Sequence, residues 1–172
     1  MSDEHKELTH LDSAGNPRMV DVTAKAPARR AAVAEGYIRM SAGALDTIRS
    51  GGTAKGDALQ VARLAAIMAG KRTGELIPLC HVLPGTSVTV DVEPVDDLPG
   101  IRITAEARIV GRTGVEMEAL TAVSVGLLTV YDMIKSVDRG MVLEGIRLLS
   151  KEGGRSGLWR SDDSTQSGDR EG

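Results

Sequence analysis

The chain contains no phenylalanine, one tryptophan and two tyrosines in 172 residues. With 41% of the chain hydrophobic, the core must be built from Ala, Val, Leu, Ile and Met. An RNA-binding sheet stacks bases on strand aromatics, and Tyr37 is the only candidate for that role. A single cysteine, Cys80, rules out an internal disulfide framework and fits a reducing cytosol. Basic residues are not in excess: 21 Lys and Arg stand against 24 Asp and Glu, a net charge of −3. General nucleic-acid affinity is therefore not expected. The opening MSDEHKELTH has no apolar segment of the signal-peptide kind. No uninterrupted apolar run reaches the ~20 residues of a membrane span. A cytoplasmic protein is expected. A metal site is not: beside His81 the only histidines are His5 and His10, in a polar N-terminal stretch, and no second cysteine exists.

What is present suffices for one domain with a real core. Residues 1–17 are polar and expected to be flexible, 18–157 form the domain, and 158–172, rich in Gly, Ser and charge, form a loose tail. A short extended piece is expected at Met19–Val22 and a strand at Val33–Met40. Ser41 caps a short helix, Gly43–Arg49, that Gly51-Gly52 stops. Asp57 caps a second helix, Ala58 to about Lys71, with Val61, Leu64, Ala65 and Met68 on one face. Pro78 forces Ile77 extended and opens a loop to Pro84. Val88, Val90 and Val92 alternate with polar residues, and Ile101 to Ile109 do so again after the Pro99-Gly100 turn. A long helix follows, then a strand at Val142–Leu149. The order β-α-β-β-α-β, with its first helix split, predicts an α+β, ferredoxin-like antiparallel sheet with helices on one face. Val and Ile fall in places on the other face, so self-association is expected to cover it.

The segment Gly111–Lys135, GRTGVEMEALTAVSVGLLTVYDMIK, is the most informative stretch. Helical spacing puts Leu120, Val123, Leu127, Val130, Tyr131 and Ile134 on a core face. Opposite runs a row of small or polar residues: Glu118, Ala122, Val125, Thr129, Asp132 and Ser136. Small residues let something approach closely. Thr113 and Glu116 have the T-x-x-E spacing of a capping box. Glu118 has no such structural reason. Asp132 and Lys135 are i,i+3 neighbours, either a surface ion pair or a half-buried acid beside a lysine, suited to acid/base work. Glu118 and Asp132 lie about 21 Å apart along the helix. If both serve function, the ligand is long, there are two sites, or one site is shared between subunits.

Other stretches keep two readings. Gly51–Asp57, GGTAKGD, is either an anion-binding loop carrying Lys55 before a helix N-terminus or a flexible loop; it is not a Walker A loop. His81, in Leu79-Cys80-His81, is an acid/base or ligand-contacting group or a solvated loop residue. Lys151 and Arg155 in KEGGRSG wrap a polyphosphate or solubilise a tail. Arg29-Arg30 are phosphate contacts or a solvated pair.

LTHLDSAGNPRMVDVTAK, AKGD, KRTGELIPLCH, TGVEMEALTAVSVGLLTVYDMIK and IRLLSKEGGRSG together resemble the molybdenum-cofactor biosynthesis protein C family, the cyclic pyranopterin monophosphate synthases. The resemblance runs from about Leu8 to Gly157. It implies a phosphorus–oxygen lyase that converts (8S)-3′,8-cyclo-7,8-dihydroguanosine 5′-triphosphate to cyclic pyranopterin monophosphate and releases diphosphate. It implies Asp132, Lys55 and Lys135 as catalytic residues. Leu79, Cys80, His81, Met117 and Glu118 match substrate-contacting segments, with Arg30 and Lys151 at phosphate-contacting positions. Arg155 stands where some relatives carry lysine. No cofactor is required, with Mg²⁺ assistance left open. The family is a homo-hexamer, a trimer of dimers with sites at subunit interfaces, and acts after a radical S-adenosylmethionine cyclase. Partners of other kinds, nucleic acid and membrane, are not expected. The alternative is a non-catalytic ferredoxin-like small-ligand-binding or sensor module.

Overall fold

Alternation in the sequence becomes a sheet with one apolar face. The computed structural model describes residues 15–51, 53, 56–96, 99–154 and 157–161. Its strands are β1 (Ala28–Arg39), β2 (Ser87–Val95), β3 (Gly100–Gly111), β4 (Val142–Glu152) and β5 (Trp159–Arg160). They form one antiparallel sheet in the order β2-β3-β1-β4-β5. Ala32, Ala34, Ile38, Val88, Val90, Val92, Ile101, Ile103, Ala105 and Ala107 are its buried face. Strand β1 starts five residues before the expected boundary, so Arg29 and Arg30 stand in the sheet. Strand β5 lies within the stretch expected to be a loose tail. Residues 162–172 and most of the N-terminal segment lie outside the described residues.

The helices are α1 (Ala42–Arg49), α2 (Ala58–Lys71), the four-residue α3 (Thr73–Leu76) and α4 (Glu116–Ile134). Ser41 caps α1 by accepting the Ala44 N–H, and Asp57 caps α2 by accepting from Leu59 and Gln60. Helix α1 gives way to Gly51 at φ +68, a conformation glycine adopts without strain.

One expectation about faces is overturned, and one is completed. The row of α4 read as lying opposite the core is not open: Glu118 and Ala122 are buried. What approaches its small residues is α2. The inward face of α2 is Ala58, Ala62, Ala66, Ala69 and Gly70, whereas Val61, Leu64 and Met68 are exposed. Close approach selects alanine and glycine for the contact and turns the larger side chains outward. A Cβ on Gly126 would lie 2.8 Å from Ile103 Cδ1 and 3.2 Å from Ala66 Cβ, and one on Gly70 would lie 3.1 Å from the Glu118 carbonyl oxygen. These contacts also set direction. The C-terminal end of α2 meets the start of α4, so the two run antiparallel and Asp57 belongs at the Asp132 end. By length and composition α4 passes as a membrane span, yet 56% of that window is buried inside the fold. It is the core helix.

The outer face of the sheet is mostly polar, with Val110 exposed on it near the end of β3 as expected. Arg39 pairs with Glu144, Arg102 with Glu93, Arg108 with Glu106 and Arg147 with Glu35. Uncovered apolar surface lies on the helices, at Val61, Leu64, Met68 and Leu128, and also on the strands, at Val110, Val142, Ile146 and Trp159.

The α2–α4 contact is testable. Gly126→Val should lower stability by about 1–3 kcal/mol, the usual range for overpacking. Gly43→Ala, whose Cβ meets nothing within 4 Å, should leave it unchanged or raise it by up to about 1 kcal/mol. Urea unfolding measures both; a Gly126→Val protein as stable as the parent would contradict the packing.

Candidate active site

Strand β3 ends at Gly111 and α4 begins at Glu116, so Arg112–Val115 form a connection rather than the first helical turn. This cancels the expected capping box. The N-cap position is Val115 and makes no side-chain hydrogen bond to the helix. Glu116 instead accepts from Lys151 Nζ at 3.0 Å. One residue pair thus ties the start of α4 to the end of β4.

Around that tie lies a cavity of about 210 Å³, lined by Lys25, Arg30, Arg112, Thr113, Glu116 and Lys151 among others. The Arg30 guanidinium is held by the carbonyls of Gly111 and Arg112, each at 3.4 Å. Gly153 and Gly154 have φ of +97° and +79°, and a Cβ on Gly154 would overlap that guanidinium. The glycines of KEGGRSG therefore let backbone close over Arg30. Four cationic side chains with only Glu116 and Glu152 against them make a seat for an anion. The volume falls below the ~300–1,000 Å³ of a complete small-molecule site, and fits the charged part of a larger ligand. Lys25 and Arg112 were not singled out from the sequence. Lysine and arginine are common on surfaces, and only the meeting of β1, β3 and β4 gathers these.

The Leu79-Cys80-His81 segment follows α3. Ile77 accepts the Cys80 N–H at 3.2 Å, Pro78 takes the second position, and Leu79 has φ +62. This is type II turn geometry, where the third position favours glycine. A leucine there is strained by the order of 1–2 kcal/mol, and strain of this kind concentrates at functional sites. Cys80 is a free, partly buried thiol. Burial, and then the charge of Glu118, push its pKa up, so it is held as the thiol. Glu118 itself is 3% exposed. Burial raises its pKa, its own backbone N–H works against that, and Glu116 adds to the rise. Met117 is partly exposed beside it. His81 Nε2 lies 2.9 Å from the Val20 carbonyl oxygen.

At the other end of α4, Lys135 Nζ donates to Asp132 Oδ1 at 2.6 Å, with both side chains about half exposed. Lys55 and Arg155 lie outside the described residues; Asp57, two positions after Lys55, caps α2 at this same end. The fold thus separates the expected site residues into two groups. Leu79, Cys80, His81, Met117, Glu118, Arg30 and Lys151 sit around the start of α4. Asp132 and Lys135 sit fourteen residues on, about 21 Å away at the helical rise. Among the described residues, no three His, Cys, Asp or Glu side chains form a metal-binding group.

The sequence model of the MoaC family matches residues 19–154. A cyclic pyranopterin monophosphate synthase of Methylobacterium nodulans is 63% identical over 155 residues, covering 90% of this chain and 97% of its own. Those of Novosphingobium aromaticivorans and Thermomicrobium roseum are 59% and 57% identical, over 90% and 91% of this chain and 98% and 95% of theirs.

Glu118 gives a pH prediction. Its pKa is higher folded than unfolded, so below the ordinary value of 4.5 both states hold the proton and nothing is lost. Above it the unfolded chain ionises first, and stability falls as pH rises through the folded pKa. Glu118→Gln removes that fall. Its stability gain over the parent in urea should be negligible at pH 4, open as pH rises and then level off. A gain that shrinks with pH would contradict the assignment.

Proposed function

The chain belongs to the MoaC family, and we infer from that membership and from the site that it forms cyclic pyranopterin monophosphate. The substrate would be (8S)-3′,8-cyclo-7,8-dihydroguanosine 5′-triphosphate, the product of a radical S-adenosylmethionine cyclase. The carrying observation is the anion seat of Arg30, Arg112, Lys151 and Lys25 beside the Glu118, Cys80 and His81 cluster. A charged cavity next to a cluster that holds the buried Glu118 carboxyl suits a triphosphate joined to a purine-derived ring. A non-catalytic sensor has no observation in its favour.

In this reading a ribose hydroxyl attacks the α-phosphorus, a P–O bond forms, the α–β bridge breaks and pyrophosphate leaves. The hydroxyl proton needs an acceptor, and the ring system must open and close by further proton transfers. Asp132 with Lys135 is the acid/base pair of suitable geometry, with Lys55 as a second cation at that end. The cations of the seat offset charge on the leaving pyrophosphate, where preorganised donors lower a barrier most. No resident cofactor is needed, and Mg²⁺ is a variable for the assay.

The distance along α4 argues that one copy does not complete a site. The split βαβ order of a ferredoxin-like domain supports a compact protomer, and the exposed Val61, Leu64, Met68 and Leu128 offer a surface for other copies. A homo-hexamer, a trimer of dimers in which the Asp132 end of one copy faces the Glu118 end of another, meets both demands.

Asp132→Asn and Lys55→Ala should each lower pyrophosphate release by about 10²–10⁴-fold, the size of an acid/base contribution, with the assembly unchanged by light scattering. Near-normal turnover by either would overturn these roles.

A further inference from the structure

We infer that residues Met19–Lys25 form a strap, pinned at one end by His81 and carrying Lys25 into the anion seat at the other, so that His81 controls phosphate binding without touching phosphate. The inference rests on the reading of that cavity as the phosphate site. Three observations carry it. First, a carbonyl oxygen can only accept, so the 2.9 Å contact between His81 Nε2 and the Val20 oxygen fixes the proton on Nε2. In the neutral ring Nδ1 is then the nitrogen left for the substrate. Second, the strap between the two ends has its own hydrogen bonds. The Thr23 N–H donates to Asp21 Oδ1 at 2.8 Å, and the Lys25 N–H donates to the Val22 oxygen at 3.0 Å. A displacement of Val20 is thus passed to Lys25 over a folded turn rather than lost in a loose one. Third, Lys25 lines the cavity with Arg30, Arg112 and Lys151, whereas His81 does not. The separation of 61 positions between Val20 and His81 makes this a long-range tie, closing the N-terminal segment onto the loop that follows α3.

Two substitutions separate the nitrogens. A glutamine amide reaches the position of Nε2 and can still donate to Val20; an asparagine amide stops at the position of Nδ1 and cannot. The probe is inorganic pyrophosphate, bound by the full-length protein and followed by calorimetry. Lys25→Ala should weaken binding by about tenfold, the value of one charge-assisted contact. His81→Asn should weaken it by a similar factor and His81→Gln should bind like the parent. The double variant Lys25→Ala/His81→Asn should bind no more weakly than Lys25→Ala alone, because both changes remove one contact. Hydrogen exchange at the strap amides should accelerate in His81→Asn and not in His81→Gln. Full affinity in His81→Asn or in Lys25→Ala, equal weakness of the Asn and Gln variants, unchanged strap exchange, or losses that multiply in the double variant would each overturn the coupling. Nothing turns over in this experiment. Failure of the enzymatic assignment would instead show in the turnover of Asp132→Asn and Lys55→Ala.

Discussion

The contact between α2 and α4 is the constraint on which the rest of the protein depends. Ala62, Ala66 and Gly70 on one helix and Gly126 on the other bring the two backbones too close for larger side chains. With the sheet against its opposite side, the middle of α4 is largely buried, with Leu128 exposed. An unpaired charge cannot sit there at tolerable cost. Polar chemistry is therefore driven to the two ends of the helix. One end receives β1, β4 and the loop after α3; the other receives the N-terminal end of α2. The distance between the two groups of site residues is a consequence of core packing before it is a property of any ligand.

The two ends differ in character. At the start of α4 the groups are fixed by several partners. Glu116 holds Lys151, two carbonyls hold Arg30, and burial holds Cys80 and Glu118 towards their protonated forms. Such groups suit recognition, where geometry must precede the ligand. At the far end Asp132 and Lys135 form a short pair that is half open to solvent. A pair left open in one copy is suited to be enclosed by another.

Much of the fold was legible because local rules and packing agreed. The caps Ser41 and Asp57, the alternation of Val88 to Val92 and Ile101 to Ile109, and the βαββαβ order all follow from short-range signals. The faces of α2 were not legible. The sequence groups Val61, Leu64 and Met68 on one face, and only the closeness of α4 decides that this face turns outward. The same holds for Glu116: Thr113 gives it the spacing of a cap, but β3 runs on to Gly111 and the helix starts too late to use it. The outer sheet face was legible in part: Val110 stands exposed on it as expected, but two of its Arg–Glu pairs, Arg39 with Glu144 and Arg147 with Glu35, join strands far apart in sequence. Of the site, the Leu79-Cys80-His81 and Met117-Glu118 segments were visible as motifs. Lys25 and Arg112 were not, because an isolated cation carries no signal until strands gather several.

The central claim is that the two ends of α4 act together across a boundary between copies. Complementation tests it directly. Asp132→Asn and Lys151→Met are each expected to be inactive alone, and each leaves the opposite end intact. Co-assembled in equal amounts, a two-fold arrangement should place an intact Asp132 end against an intact Lys151 end in about a quarter of the sites. The account predicts pyrophosphate release near that fraction of the parent rate. A mixed assembly, verified to contain both variants, that stays as inactive as its components would contradict it.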